Sequence, residues 1–233
     1  MNITFKACNA ANYKKGRTAP VKYIVIHYTA GNGDTAKNNA DYYASAKIEA
    51  SAHYFVDEGN IIYQSVKDTD TAWSVGGTRV YKHKECRNAN SINIKLCSRN
   101  RNGSGKPASD GGWYFKPETV NNALELTRFL MSKYNIPPEN VIRHFDVWGK
   151  ICPAPFVNSP GEWESFKRKL VKHMEELTSV NDIVWELKQR GIISETDKWL
   201  KKLQSDTDAY WLARKTVKFL RDKRVRNVKK SEA

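Results

Sequence analysis

The sequence lacks the apolar segments that membrane and secreted proteins carry. Its 233 residues include no apolar run of the ~18 residues that a helix needs to cross a bilayer. The N-terminal stretch MNITFKACNAANYKKG contains no apolar core of the kind found in a secretory signal peptide. We therefore expect a protein made in a cytoplasm without a signal peptide, with no membrane insertion. If it acts outside the cell, it leaves by another route.

Cysteine is scarce, and several common motifs are missing. The four cysteines lie far apart, and no CxxC pair occurs. In a chain without a signal peptide such thiols are expected to be reduced rather than joined in disulfides. The Gly-rich stretch RNGSGK has no Walker pattern, which argues against a phosphate-binding loop. No helix-turn-helix, RNA-recognition or zinc-finger spacing is found, so binding of nucleic acid is not expected.

Acidic residues are outnumbered along the whole chain. The formal net charge is +14, with 25 basic and 17 acidic residues in 1–177 and 14 basic and 8 acidic residues in 178–233. A field of this sign favours polyanions such as nucleic acid, anionic lipid or an anionic cell wall, and charge alone does not choose among them. Hydrophobic residues make up 40% of the chain, which excludes wholesale disorder.

Strand and helix patterns alternate along the first three quarters of the chain. Short runs rich in β-branched residues predict strands, and apolar residues at helical spacing predict helices. The predicted strands are 21–26, a hairpin over 52–66, 91–97 and a short strand that leads to His144. The predicted helices are 35–47, 116–135 and 159–177. This alternation indicates a layered α/β domain.

The pattern changes near the end of the last of these helices. Apolar residues from Val180 to Leu187 follow helical spacing, and Gly191 is a suitable C-cap. Two more short helical segments follow, DKWLKKL and DAYWLARKTVKFL. We therefore predict two domains: 1–177, which carries the chemistry, and 178–233, a small all-helical module.

Three residues of the first domain suit a catalytic zinc site. His27 follows one predicted strand, His144 follows another, and Cys152 lies a short distance beyond, next to Pro153. Catalytic zinc usually takes three protein ligands and keeps one position for water. A lone strand-end histidine or a lone cysteine is more often a structural residue. The combination of all three favours a metal site.

Three stretches together resemble a known family. YIVIHYTAG, SAHYFVDEGNIIY and HFDVWGKICP, in this order, resemble the zinc-dependent N-acetylmuramoyl-L-alanine amidases, which include the T7-lysozyme-like phage amidases and the peptidoglycan recognition proteins. The resemblance covers roughly residues 20–170, and its pattern H-x-D-x-x-x-K-x-C-P is fairly specific. It implies a central mixed β-sheet flanked by helices. It also implies cleavage of the amide bond between N-acetylmuramic acid and the first L-alanine of the stem peptide.

The family's functional positions can be carried over onto this chain. The zinc ligands fall on His27, His144 and Cys152, and the family's lysine near the metal falls on Lys150. Zn²⁺ would lower the pKa of its water and polarise the scissile carbonyl. Lys150 would stabilise the negative oxygen of the tetrahedral intermediate.

Further residues match the family less specifically. His53 matches a histidine beside the substrate groove, although a hydrogen-bonded structural histidine fits equally well. Trp73 matches a segment at the groove edge, where it would stack on sugar rings, although a core tryptophan is more common. Asp146 suits either a partner of a ligand histidine or a turn residue.

One position departs from the family pattern. Many relatives read SIGIEL, with a glutamate that acts as general base or anchors the water; here the strand reads SINIKL, with Lys95 in that place. T7-lysozyme-like members use a tyrosine where this chain has Ala52. We predict Lys95 as a catalytic residue, and one explanation of its role is that it is neutral and acts as the base itself. The alternatives are that Glu85 or Tyr28 takes over, or that zinc hydroxide suffices at a reduced rate.

The helical segment at the C-terminus resembles short modules of endolysins from phages of clostridia, with tryptophans at 185, 199 and 211. In those proteins the module is taken to bind the cell wall, and positive charge suits the anionic polymers of a Gram-positive wall. The alternative is a plain helical extension that packs on the catalytic domain or makes a dimer, with the tryptophans in its core.

Together these features predict a phage or prophage endolysin that reaches peptidoglycan after release at lysis. A protein that binds peptidoglycan without cutting it is the first rival, favoured by Lys95. A basic nucleic-acid-binding or regulatory protein is the second, and charge is its only support.

Overall fold

A computed structural model describes most of the chain. The described residues are 1–77, 80–175, 180–206, 208–210, 212–213 and 216–217, with the backbone alone for 172–175. The chain divides into two units, Met1–Val171 and Lys172–Ala233. The domain limits given above, 1–177 and 178–233, stay a prediction.

A six-stranded sheet forms the centre of the first unit. Its strands are β1 (Asn2–Phe5), β3 (Tyr23–Tyr28), β4 (Tyr54–Val56), β5 (Ile61–Gln64), β7 (Ser91–Leu96) and β10 (Val141–Arg143). The spatial order is β1-β5-β4-β7-β3-β10. β4 and β5 run antiparallel and the other neighbours run parallel. The sheet is therefore mixed, as the resemblance implied.

Among the described residues, two short ribbons and five α-helices accompany this sheet, and the last helix continues past Val171. The ribbons pair β2 (Tyr13–Lys14) with β6 (Thr71–Ala72) and β8 (Arg99–Asn100) with β9 (Trp113–Tyr114). The helices are α1 (Ala36–Ser45), α2 (Pro117–Tyr134), α3 (His144–Trp148), α4 (Ala154–Asn158) and α5 (Pro160–Glu175). In the part of the chain that the structure describes, no helix has the length and apolar character that crossing a membrane requires.

Local chemistry explains where α1 begins and where α2 begins and ends. The Thr35 hydroxyl accepts a hydrogen bond from the Asn38 N–H and so caps α1. Pro117 opens α2, where its missing N–H costs nothing, and Asn135 ends that helix in the left-handed conformation, with φ 59°. Both helices pack against the sheet, so the predicted α/β layering is confirmed.

The two central parallel strands are covered on both faces. All six residues of β3 are buried, as are all residues of β7 except Lys95. The sequence pattern sets Ile92, Ile94 and Leu96 against Asn93 and Lys95, and Asn93 is nevertheless fully buried. Parallel strands usually carry helices on both faces, which explains this burial. His27 is paired in register with Lys95, so the two residues share a face.

The second unit contains α6 (Val180–Gln189) and α7 (Thr196–Ser205). Gly191 follows α6 with φ +67°, as expected for a C-cap. The core of this unit is formed by buried aliphatic residues of both helices, of their connection and of the segment after them: Ile183, Val184, Leu187, Ile193, Leu203, Ala213 and Val217. Trp199 packs against this core, Trp185 is half-buried, and Trp211 lies outside the described residues.

Candidate metal centre

Sheet register brings the two histidines together. β10 runs parallel to β3, with Arg143 opposite Ile26. His144 follows Arg143 and His27 follows Ile26, so the two histidines lie side by side. Their ring centroids lie 4.6 Å apart, and both side chains are buried. Two side chains of metal-ligand type thus meet at the carboxyl end of the sheet, where α/β folds commonly place their sites.

A reversal of the chain after α3 brings in the cysteine. Gly149 ends α3 with φ 75°, a conformation that residues with a Cβ rarely adopt. The returning chain is fixed by the Phe145 N–H, which donates to the Cys152 carbonyl at 2.7 Å. Cys152 Sγ then lies 3.7 Å from His27 Nδ1. The ligand atoms of His27, His144 and Cys152 all lie within 4.8 Å of one another.

Burial sets the protonation of these three groups. Burial, followed by the neighbouring His144, holds the pKa of His27 well below its ordinary value. Burial, followed by the charges of Lys150 and Lys95, lowers the pKa of His144 to about 4. Both rings are therefore neutral at pH 7 and offer lone pairs. Burial raises the pKa of the Cys152 thiol to about 11, so a metal must displace its proton.

The donor set fits zinc. Tetrahedral zinc with bonds of about 2.0–2.3 Å to nitrogen and sulfur separates its ligand atoms by roughly 3.5 Å, close to the distance between the thiol and His27. His144 Nε2 is buried and has no hydrogen-bond partner, although a buried polar atom normally has one. A cation bound between the three residues would satisfy it. Among the described residues this is the one group of such side chains that could hold a metal.

The two predicted catalytic lysines differ in exposure and in contacts. Lys150 is exposed, two residues before Cys152, and its charge acts on all three candidate ligands. The Lys95 Nζ donates to the Tyr43 hydroxyl at 2.6 Å and lies 4.7 Å from the centre of that ring. Its charge also acts on the three ligands. The roles of both lysines remain proposals.

The alternative bases are poorly suited to proton transfer here. Burial raises the pKa of Tyr28 to about 12, so its hydroxyl stays protonated at neutral pH. The Glu85 carboxylate accepts a hydrogen bond from the Tyr23 hydroxyl at 3.0 Å. Tyr28 packs beside Cys152 in one buried cluster, but a hydroxyl that stays protonated cannot serve as a base there.

His53 is fully buried within the sheet. Its Nδ1 accepts from the Asn93 N–H at 3.0 Å, and its Nε2 lies 2.7 Å from an Arg17 nitrogen. A side chain with no exposed surface reaches a substrate only through its neighbours. Burial favours the hydrogen-bonded structural role for His53, and the groove-lining role stays a prediction.

Trp73 and Asp146 differ in their contacts and in the roles that these contacts favour. The backbone N–H of Trp73 donates to the Ser51 hydroxyl at 2.9 Å, and the residue is half-buried, so part of it is accessible. Its contact with substrate stays a proposal. Asp146 caps α3 by accepting from the Arg143 N–H at 2.8 Å, and it pairs with the Arg143 guanidinium. Of the two roles considered for Asp146, the structure favours the turn.

Sequence reasoning missed two residues beside the candidate ligands. Asn93 Oδ1 lies 2.9 Å from His27 Nε2, and Tyr43 holds the Lys95 ammonium group. A polar residue between two isoleucines of a buried strand was the available signal for Asn93. No sequence signal pointed to Tyr43, because its contact depends on how α1 packs on the sheet.

These features define a class of protein: an α/β domain with a mixed sheet and a buried His/His/Cys cluster at one end. A family model described as N-acetylmuramoyl-L-alanine amidase matches residues 17–155. The chain belongs to this family. The match includes all three candidate ligands, so the predicted resemblance is confirmed.

Individual relatives agree with this assignment. The N-acetylmuramoyl-L-alanine amidase CwlL of Bacillus licheniformis is 33% identical over 162 residues, which are 66% of this chain and 42% of CwlL. The amidase XlyA of Bacillus subtilis (strain 168) is 28% identical over 181 residues, 73% of this chain and 54% of XlyA. This chain thus spans about half, or less, of the length of these relatives. The clostridial type suggested by the C-terminal segment stays a prediction.

Solved structures show the same fold. The structure of PlyL has a TM-score of 0.58 and 28% identity, covering 73% of this chain and 97% of PlyL. The catalytic domain of XlyA has a TM-score of 0.57 and 26% identity, covering 73% of this chain and 99% of that domain. The expected fold, a central mixed sheet flanked by helices, is confirmed.

Proposed function

We propose that this protein is a zinc-dependent peptidoglycan hydrolase that cleaves the amide bond between N-acetylmuramic acid and the L-alanine of the stem peptide. One observation carries the proposal: three buried ligand atoms, from His27, His144 and Cys152, converge within 4.8 Å in a chain of the amidase family. A His/His/Cys set leaves one zinc position for water, as catalytic sites require. Action on the cell wall as a phage or prophage endolysin fits the relatives and is part of the proposal.

The metal's contribution is to activate water and polarise the carbonyl. The protein's residues bind the metal and stabilise the charge that develops in the reaction. His27 and His144, neutral at pH 7, supply nitrogen lone pairs without losing a proton. Lys150 is exposed beside the cluster and is the group available to a substrate oxygen that becomes negative during the reaction. A cation at this point would stabilise the transition state more than the ground state.

Lys95 supports the site as a cation rather than as a base. Its Nζ donates to the Tyr43 hydroxyl at 2.6 Å, which fixes it in place. It also adds positive charge near the three buried candidate metal ligands. A nearby cation favours the anionic form of any acid in the site, so it lowers that acid's pKa. This role makes the lysine compatible with catalysis without the glutamate of related sequences.

Replacement of Lys95 by an uncharged residue distinguishes a role as cation from a role as base. We expect Lys95→Met to retain activity, with the acidic limb of the rate profile moved about one unit to higher pH, because one site cation is lost. The measurement is kcat/KM on solubilised peptidoglycan between pH 5 and 10. A complete loss of activity at every pH would show instead that Lys95 is the base. Tyr43→Phe is the matched control for loss of its partner alone.

The reaction itself is tested on a soluble muramoyl-tripeptide. Mass spectrometry should detect the free tripeptide and the intact sugar, and chelation should abolish both until zinc is restored. A tripeptide with an acetyl group in place of the muramoyl residue serves as control. If the zinc-loaded protein binds peptidoglycan and releases nothing, the non-catalytic rival is correct. Cleavage by Lys95→Glu, with none by the natural chain, would show a binder built on an amidase frame.

We further propose that the second unit binds anionic polymers of the wall. Four lysines of α6 and α7 are exposed: Lys188, Lys198, Lys201 and Lys202. Positive charge on one small helical unit attracts phosphate-rich polymers, and salt screens that attraction.

A triple glutamine variant at 198, 201 and 202 tests this proposal in the full chain. Retention on purified walls should fall at low salt, and the difference from the natural chain should shrink at high salt. Walls stripped of their anionic polymers should abolish the difference. Equal retention of both proteins on intact walls at low salt would contradict the proposal. Cleavage of the soluble muramoyl-tripeptide should be equal for both, because these lysines belong to the second unit.

A further inference from the structure

The contact between His27 and Asn93 fixes more than the position of the ring. His27 Nε2 lies 2.9 Å from Asn93 Oδ1, and both side chains are buried. His27 Nδ1, on the other side of the ring, lies 3.7 Å from Cys152 Sγ. One nitrogen thus faces the amide, and the other faces the proposed metal.

Ser91 determines which end of the amide His27 meets. The Ser91 hydroxyl donates to the Arg87 carbonyl at 2.8 Å, so its proton is already used. Its oxygen must therefore accept from Asn93 Nδ2, which lies 3.1 Å away. The amide nitrogen faces the serine, and the amide oxygen consequently faces His27.

The backbone of Asn93 is also fixed, by two hydrogen bonds to His53. Its N–H donates to His53 Nδ1 at 3.0 Å, and its carbonyl accepts from the His53 N–H at 3.0 Å. These bonds fix the position from which the Asn93 side-chain amide reaches His27. In the related pattern SIGIEL the corresponding residue is glycine, which has no side chain to offer. The acceptor that meets His27 is therefore a feature of this chain.

We propose that Asn93, oriented by Ser91, is a positioning residue that locks His27 in the tautomer whose Nδ1 lone pair faces the metal. A neutral imidazole has one N–H and one lone pair. Because the amide oxygen can only accept, Nε2 must carry the proton and Nδ1 must be free. The partner of a ligand histidine sets its tautomer and its basicity in this way. The inference rests on the proposed metal site but not on the proposed reaction.

The tautomer can be observed without metal or substrate. In the full chain, labelled with ¹⁵N-histidine and stripped of metal, long-range ¹H–¹⁵N spectra should show His27 wholly protonated at Nε2. Asn93→Leu should produce a mixture of tautomers or the Nδ1–H form. Asn93→Asp retains an acceptor and should retain the Nε2–H form. Ser91→Ala frees the amide to turn and should also allow the Nδ1–H form.

Zinc affinity gives a second readout. In competition with a chromogenic chelator, Asn93→Leu should bind zinc about 10–100-fold more weakly, the usual loss when a ligand's partner is removed. Asn93→Asp should restore the affinity, which a purely structural role for the residue would not require. Thermal unfolding of the metal-free variants shows whether each is folded.

Each result decides the inference. A folded Asn93→Leu with the natural tautomer and the natural zinc affinity would overturn it. If Asn93→Leu does not fold, Ser91→Ala decides alone, and an unchanged tautomer would again refute the inference. Wild-type protein that binds no zinc would refute the metal site, while the tautomer measurement would still stand. Failure to cut peptidoglycan would concern the proposed reaction alone.

Discussion

Replacement of Cys152 by serine is expected to abolish amide cleavage and to weaken zinc binding beyond the roughly 100-fold that loss of an outer partner costs. A thiolate is a far better zinc ligand than a hydroxyl, which does not ionise at neutral pH. His27 and His144 alone would leave the cation with two protein ligands. The measurements are zinc content after dialysis and the rate of amine release from purified peptidoglycan.

The proton of Cys152 provides a sharper form of this test. Burial raises the pKa of the thiol to about 11, and both histidines are neutral at pH 7. Between about pH 5.5 and 6.5, below the pKa of a zinc-bound water, zinc uptake should therefore release one proton, from the cysteine, and zinc affinity should rise about tenfold per pH unit. Calorimetry in buffers of different ionisation enthalpy counts this proton. In Cys152→Ser this proton release should be lost.

Cys97→Ser is the matched control for this substitution. Cys97 is equally buried, but its Sγ accepts from Asn39 Nδ2 at 3.7 Å, away from the cluster. This variant should keep both zinc and activity. If Cys152→Ser keeps both as well, Cys152 is not a ligand and the proposed centre is wrong.

Replacement of Lys150 by methionine is expected to reduce kcat by roughly 10²–10³-fold while zinc binding is retained. The exposed ammonium group contacts no ligand position itself, so its loss should spare the metal. It removes the cation that meets the negative oxygen of the transition state. Because that oxygen carries its charge only in the transition state, kcat should fall and KM should change little.

Two further variants define the Lys150 effect. Lys150→Arg keeps the charge but changes its shape and should recover only part of the rate. Lys106→Met removes an exposed lysine from the loop between β8 and β9 and should have no effect. If Lys150→Met is as active as the natural chain at saturating substrate, the lysine is a solvated surface residue.

The metal ligands could be predicted from sequence because each lies within a short, ordered motif. His27 ends an apolar strand, and Cys152 lies in a segment dense in functional residue types. The main strands and helices could be predicted as well, because the spacing of apolar residues is also a local pattern. β1 escaped prediction because it is a short strand at the edge of the sheet, with three of its four residues exposed.

The surroundings of the ligands could not be predicted, because they depend on register and packing. His27 meets Asn93 across two strands that are 66 positions apart in sequence. Lys95 meets Tyr43 only because α1 packs on that face of the sheet. His53 matched a groove residue by motif and lies fully buried. Such contacts are set by three-dimensional proximity and leave no local pattern in the sequence.

The most direct test of the central claim counts two kinds of new chain end in one digest of purified Gram-positive peptidoglycan. With zinc-loaded protein we expect free L-alanine amino groups to accumulate without new reducing sugar ends, and His27→Ala to release neither. New reducing ends without new amino groups would contradict the account, because they would show cleavage of the glycan rather than of the muramoyl amide bond.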